Sequence, residues 1–164
     1  SIVGYTNAGK TSLFNLLTGK KKLEADILFA TLDSAVGKMY DRDHNREILI
    51  SDTIGFIKKL PPDLVDAFKS TLMESIHADV LLHVIDAADP KMDEKIQVVE
   101  NILNDLGLKD KKKIYVFNKV DQLEQKKINE IKEKYTQFTP HFISVHTGAG
   151  IVPLYHAITA FPFL

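Results

Sequence analysis

The residues Gly4-Tyr5-Thr6-Asn7-Ala8-Gly9-Lys10-Thr11 follow the pattern G-x-x-x-x-G-K-[ST]. Glycines at those two places let a backbone wrap closely around phosphates, so that successive N–H groups and a helix N-terminus face negative charge. Lys10 then supplies a point charge to the β- and γ-phosphates, and the Thr11 hydroxyl is a ligand for Mg²⁺, with Ser12 grouped with the same loop. A second pattern, Asp52-Thr53-Ile54-Gly55, is D-x-x-G. It places a carboxylate where it can hold Mg²⁺ through water and a backbone N–H, that of Gly55, where it can meet a γ-phosphate. A third, Asn118-Lys119-Val120-Asp121, is N-K-x-D. A carboxylate only accepts hydrogen bonds, so Asp121 suits the paired N1–H and 2-amino donors of guanine, and adenine would leave it buried and unpaired. Ser144-Val145-His146 is expected to put its backbone beside the guanine O6. Thr31, within Phe29-Ala30-Thr31-Leu32-Asp33, is either a third Mg²⁺ and γ-phosphate contact in a closing loop or a plain loop threonine. The order and spacing predict a GTP/GDP site in which Lys10, Thr31 and Gly55 act on the reacting phosphate and Thr11, Thr31 and Asp52 hold Mg²⁺.

The elements that must carry these residues alternate between strand and helix. Ser1-Ile2-Val3 reads as a strand end, followed by a helix over 10–17. Two strands, 35–41 and 47–51, flank the polar turn 42–46 as a hairpin. Apolar positions at helical spacing mark 63–77 and the stretch from Met92 to a stop at Gly107. Residues 79–86 and Lys113–Asn118 are continuous apolar runs, as buried parallel strands require. A polar helix over 124–135, a strand over 141–145 and a helix over 151–160 complete the chain. The prediction is an α/β three-layer sandwich of the P-loop GTPase type. Its sheet has six strands, mostly parallel with one antiparallel edge strand, and every motif lies at a strand's carboxyl end.

At 164 residues, 45% hydrophobic and 26% charged, the chain suits one soluble domain. The net charge of -1 gives no overall attraction to nucleic acid, so DNA is not an expected partner and any RNA contact must be local. With no cysteine, thiolate metal sites and cysteine nucleophiles are excluded. No apolar run is long enough to span a membrane. The expectation is a cytoplasmic monomer, and residues 1–164 are read as the GTP-binding domain of a longer protein, without its N-terminal domain.

Together the runs G-Y-T-N-A-G-K-T, L-F-A-T-L-D, D-T-I-G-F-I-K-K-L-P and L-L-H-V-I-D-A-A-D-P resemble the HflX family of translation-associated GTPases. The likeness covers 3–150. It implies GTP hydrolysis, binding to the large ribosomal subunit and splitting of stalled ribosomes, in proteins that also carry an N-terminal domain with a helical linker. Ser34 stands where the family usually has Pro, and Val145-His146 departs from its usual last motif.

Other readings stay open. A GTP-gated binding module with negligible hydrolysis, or a GTPase of ribosome assembly or tRNA modification, would share the general motifs. A P-loop kinase would have no use for N-K-V-D. Asn7 is either a turn-forming residue or a ligand for K⁺ beside the phosphates. Phe56 stands where many GTPases have a water-orienting glutamine, and a phenyl ring can neither donate nor accept that hydrogen bond, so hydrolysis without a partner should be slow. The lysine runs Lys20-Lys21-Lys22 and Lys109 to Lys113 are solvated loops or RNA contacts. His83 is expected to be a packed structural residue.

Overall fold

A strand apolar at every position has to be covered on both faces, and two such strands therefore demand helices above and below the sheet. The computed structural model describes residues 1–20, 35–53, 55 and 75–163. Six strands occupy them: β1 (Ile2–Gly4), β2 (Ala35–Asp41), β3 (Arg46–Asp52), β4 (Leu81–Asp86), β5 (Lys113–Asn118) and β6 (His141–Phe142). Their order across the sheet is β2-β3-β1-β4-β5-β6, with β2 the one antiparallel strand, at an edge. Four helices accompany them: α1 (Lys10–Thr18), α2 (Met92–Asp105), α3 (Gln125–Lys134) and α4 (Ile151–Thr159).

Alternation along β4 shows how the layers form. Leu82 and Val84 join Leu13 and Phe14 of α1 and Leu154 and Ile158 of α4 on one face. Leu81 packs with Val99 and Leu103 of α2 on the other, where Ile85 meets Ile96 of α2 and Ile131 of α3. Each fully buried Leu, Ile or Phe adds about 1.5–3 kcal/mol of hydrophobic stabilisation. The helices on each face are thus held by the core, with α3 contributing one buried residue, Ile131.

The predicted three-layer sheet is present, with changes at element ends. Arg46, expected in the hairpin turn, opens β3 opposite Asp41. Its Nε donates to the buried Asp41 carboxylate at 2.9 Å and its Nη2 to the carbonyl of Thr159 at 2.7 Å, which draws the residue out of the turn and ties the hairpin to α4. The strand expected from 79 starts at Leu81, opposite the first residue of β5. The strand expected over 141–145 stops at Phe142, because the Ser144 N–H turns away to the carbonyl of Ala149 at 2.9 Å. Most of the helix expected over 63–77 lies outside the described residues.

Two lysines of the 109–113 cluster are committed to the fold. Lys111 Nζ donates to the carbonyls of Ile76 and Ala78, each at 2.7 Å, and Lys113 pairs with Glu100 at 2.6 Å. Only Lys109 and Lys112 of that cluster are exposed. His83 is buried as expected, with Nδ1 3.1 Å from Glu100, and Tyr115 donates to the same carboxylate at 3.0 Å. Burial holds His83 below its ordinary pKa and so neutral, which makes it an N–H donor rather than a cation. Burial also opposes the charge of Glu100, but the bonds from His83 and Lys113 outweigh it and bring that carboxyl down to about 2.

A carboxyl whose pKa is lower folded than unfolded adds stability above its unfolded value, and loses it as pH falls through the folded one. Glu100 should therefore contribute fully above pH 4.5 and progressively less towards pH 2. Glu100→Gln is expected to lower the Tm near neutral pH by on the order of 5 °C and to flatten the fall between those limits. Thermal melts against pH check this; an unchanged acid limb would show that other carboxylates govern it.

Candidate functional site

The loop between β1 and α1 closes on itself before it meets any ligand. The Ala8 N–H reaches the carbonyl of Tyr5 at 3.3 Å, and Lys10 Nζ donates to that same carbonyl at 3.0 Å. Gly9 has a φ of 96°, and a β-carbon there would stand 2.3 Å from the side-chain nitrogen of Asn118, so no other residue fits. Lys10 is 6% exposed. Burial lowers its pKa to about 8, and the nearby Asp52 carboxylate restores only part of that loss. A buried ammonium of this kind lacks enough negative charge around it, which a phosphate chain would supply.

At the carboxyl end of β3, Asp52 is fully buried and accepts a hydrogen bond from Thr11 Oγ1 at 3.0 Å. Two of the three expected Mg²⁺ ligands, Thr11 and Asp52, are thus brought together, while the third, Thr31, lies outside the described residues. A hydroxyl beside a carboxylate is the hard-oxygen chemistry that Mg²⁺ accepts, so this corner fits the ion. Thr53 is different. Its hydroxyl donates into the sheet, to the carbonyl of Ile2 at 2.6 Å. Gly55 lies against the loop, where a β-carbon would stand 2.7 Å from the Thr6 α-carbon and 3.0 Å from Lys10 Nζ. Ile54 and Phe56, and the whole of Phe29-Ala30-Thr31-Leu32-Asp33, lie outside the described residues.

Asn118 ends β5 and is 3% exposed. Its Nδ2 donates to the carbonyl of Ala8 at 3.0 Å, while its Oδ1 accepts from the N–H of Val145 at 3.2 Å. One side chain therefore joins the phosphate-type loop to the loop after β6. That second loop is built on Ser144, whose buried Oγ accepts from the Thr147 N–H at 3.1 Å. Gly150 begins α4 with a φ of 71° and lies so near Phe142 that a β-carbon would be 2.0 Å from its carbonyl oxygen. Sequence reasoning did not single out Gly150, although a glycine just before a helix is a usable signal.

A cleft of about 590 Å³ opens between these loops, lined by Gly9, Ser12, Asn118, Lys119, Asp121, Gln122, Val145 and His146. Its position beside the phosphate-type loop makes it the candidate place for a planar base. Asp121 is exposed in a short helical turn rather than buried, so a bound base would itself have to shield it. Val120 donates its N–H to the carbonyl of Ile143 at 3.2 Å, which fixes that turn to the end of β6. Asn7 has a φ of 62°, a left-handed conformation that asparagine tolerates, and its side chain is exposed. Its carbonyl accepts from Lys119 Nζ at 2.9 Å. Lys119 also pairs with Asp86 at 2.6 Å, a residue that sequence reasoning met only as part of a longer run.

Residues 1–119 match the family described as 50S ribosome-binding GTPase. GTPase HflX of Caldanaerobacter subterraneus subsp. tengcongensis is 56% identical over 124 residues, spanning 76% of this chain and 29% of that protein. GTPase HflX of Escherichia coli K12 is 43% identical over 159 residues, 97% of this chain and 37% of that protein. The chain therefore spans about a third of the length of these curated relatives. Among solved structures, a GTP-binding protein of Sulfolobus solfataricus in complex with GDP superposes with a TM-score of 0.73 at 32% identity, over 96% of this chain and 50% of that one. A variant of Aquifex aeolicus Era bound to GDP and aluminium fluoride gives 0.79 at 27% identity, over 96% and 54%. Among the described residues no helix is long and apolar enough to cross a membrane.

If a polyphosphate binds at Lys10, the state of that lysine should make the binding pH-dependent. Bound phosphate favours the ammonium and raises the pKa again, so the protonated protein is the tighter binder. Affinity should be flat below pH 8 and fall above it, by up to about tenfold per pH unit, until the pKa of the complex is reached. Titrations between pH 7 and 9.5 should show that slope together with proton uptake, and Lys10→Met should abolish both.

Proposed function

This chain belongs to the HflX family of GTPases, and from that premise we propose that it is the GTP-hydrolysing switch of a longer protein that acts on the large ribosomal subunit. The observation that carries the reading is Asn118, which holds a phosphate-type loop and a base-type cleft in one rigid frame. GTP lies with its phosphates in the loop 4–11 and its guanine between Lys119 and Val145. Asp121 accepts from N1–H and the 2-amino group, which excludes adenine. Lys10 neutralises the β- and γ-phosphates, and the Gly55 N–H and Thr31 meet the terminal one. Thr11, Asp52 and Thr31 would hold Mg²⁺, which would supply positive charge against that developing on the phosphate oxygens.

Phe56 cannot orient water, so turnover without a partner is slow, on the order of 10⁻⁴ to 10⁻² per second. The family's description as ribosome-binding supports the large subunit as the body that completes the site. A cytoplasmic location follows from that partner.

Two measurements test this. Asp121→Asn should weaken GTP binding and strengthen xanthosine triphosphate binding, because the amide can donate to the added base carbonyl; ATP competing equally with GTP at the unaltered protein would refute the base assignment. GTP turnover by the full-length protein should rise on adding 50S subunits, in sodium as in potassium. Rapid turnover in sodium without ribosomes would refute the need for a partner, and stimulation by potassium alone would assign the missing help to an ion beside Asn7.

A further inference from the structure

The segment Asp86-Ala87-Ala88-Asp89 runs from the end of β4 towards α2 and, apart from the Asp86–Lys119 pair, stands outside the nucleotide site described above. Its two carboxylates nevertheless divide their oxygens in the same way. Asp86 accepts the Ala88 N–H at 3.0 Å with one oxygen and meets Lys119 Nζ at 2.6 Å with the other. Asp89 accepts the Lys91 N–H at 2.8 Å with one oxygen, and its other pairs with Lys95 Nζ. One oxygen of each stiffens its own loop and the second holds a lysine.

Both lysines reach the phosphate-type loop. Lys119 donates to the carbonyl of Asn7 at 2.9 Å, and the Lys95 ammonium lies 4.7 Å from the centre of the Tyr5 ring. These are positions the G-x-x-x-x-G-K-T spacing leaves unspecified. Tyr5 matters further because its own carbonyl holds Lys10 Nζ at 3.0 Å. Cation–ring attraction is directional and strengthens as water is excluded, and both partners of the Lys95–Asp89 pair are largely shielded, 31% and 17% exposed. Burial opposes the charge on Asp89, but the hydrogen bonds from Lys95 and the Lys91 N–H outweigh it, so the carboxylate stays ionised and its hold on Lys95 persists well into acid.

We propose that Asp86 and Asp89 are positioning residues for the nucleotide, acting through Lys119 and Lys95 to set where Asn7 and Tyr5 hold the loop that carries Lys10. The inference rests on the nucleotide reading above and deepens it: the strut controls how fast nucleotide leaves, without touching it. Freed of Asp89, Lys95 keeps only the attraction of the ring to hold it over Tyr5, and the carbonyl that anchors Lys10 loses part of its support.

The test is release of a fluorescent GDP analogue from the full-length protein by stopped flow, with melting of the nucleotide-free protein measured alongside. Asp89→Asn and Lys95→Met should each speed release about three- to tenfold, and the double variant should release no faster than the quicker single one, since both remove one latch. Asp86→Asn should speed release independently, adding to either of the first two. The melting temperatures should stay within a few degrees. Release unchanged in the variants, a fully additive Asp89–Lys95 pair, or acceleration found only in variants that have lost their fold would overturn the inference. An unaltered protein that holds no guanine nucleotide would instead overturn the proposed function on which it rests.

Discussion

The side-chain amide of Asn118 is the contact on which the geometry of the site depends. It lies at the end of a buried strand with its donor committed to one loop and its acceptor to another, 110 and 27 residues away in sequence. Leaving either partner buried and unpaired costs about 1–3 kcal/mol, several times what a solvated pair would lose. The two loops therefore cannot drift independently. Gly9 follows from the same contact, because the amide occupies the space that any β-carbon at that position would need. The strand that delivers Asn118 is set in register beside β4, with Asp86 directly opposite Asn118. The sheet thereby places the lysine that follows Asn118 within reach of the carboxylate that ends the neighbouring strand.

Charge is distributed unevenly around that frame. On the α2 side, Glu100 is surrounded by donors and ionises readily, which makes it a structural anchor. In the loop, Lys10 has one carboxylate near it and a carbonyl, and burial outweighs both. A stable core would not leave a lysine in that condition without cause, since a buried ammonium with too little compensation weakens the fold. The cost is accepted where a ligand carries the missing charge. Thr11 and Asp52 follow the same logic with opposite sign, an anionic corner beside a cationic one, as a phosphate–Mg²⁺ pair requires.

Much of this was legible in the sequence because local rules and tertiary demands agree there. The strand Lys113–Asn118 and the helix from Met92 were readable from periodicity, since each buries an unbroken apolar face. The three motifs were readable because their residue types have few other uses at that spacing. What escaped was set by partners distant in sequence. Arg46 left the turn for a buried carboxylate and two carbonyls of the far C-terminal segment. The last strand was cut short by a hydrogen bond from Ser144 into the loop that follows it. Lys111 and Lys113, read only as part of a charged run, serve carbonyls and a carboxylate that no local pattern announces. The exposure of Asp121 was missed because the N-K-x-D spacing fixes residue type and order but not how far the short turn after β5 is covered.

The resulting arrangement ties the two loops of the candidate site together. The base-side turn hangs from Ile143 through Val120, and the loop after β6 hangs from Asn118. Asn118 and Lys119 then grip the phosphate-side loop at Ala8 and Asn7, two adjacent carbonyls. The contacts between the two loops thus run through two consecutive residues at one strand end, and every bond in the path starts or finishes on backbone. Because each bond has one backbone partner, only the Asn118 and Lys119 side chains add rotamer freedom to the path. The left-handed φ of 67° at Lys119 is what lets neighbouring side chains reach neighbouring carbonyls instead of diverging to opposite faces, as they would along a regular strand.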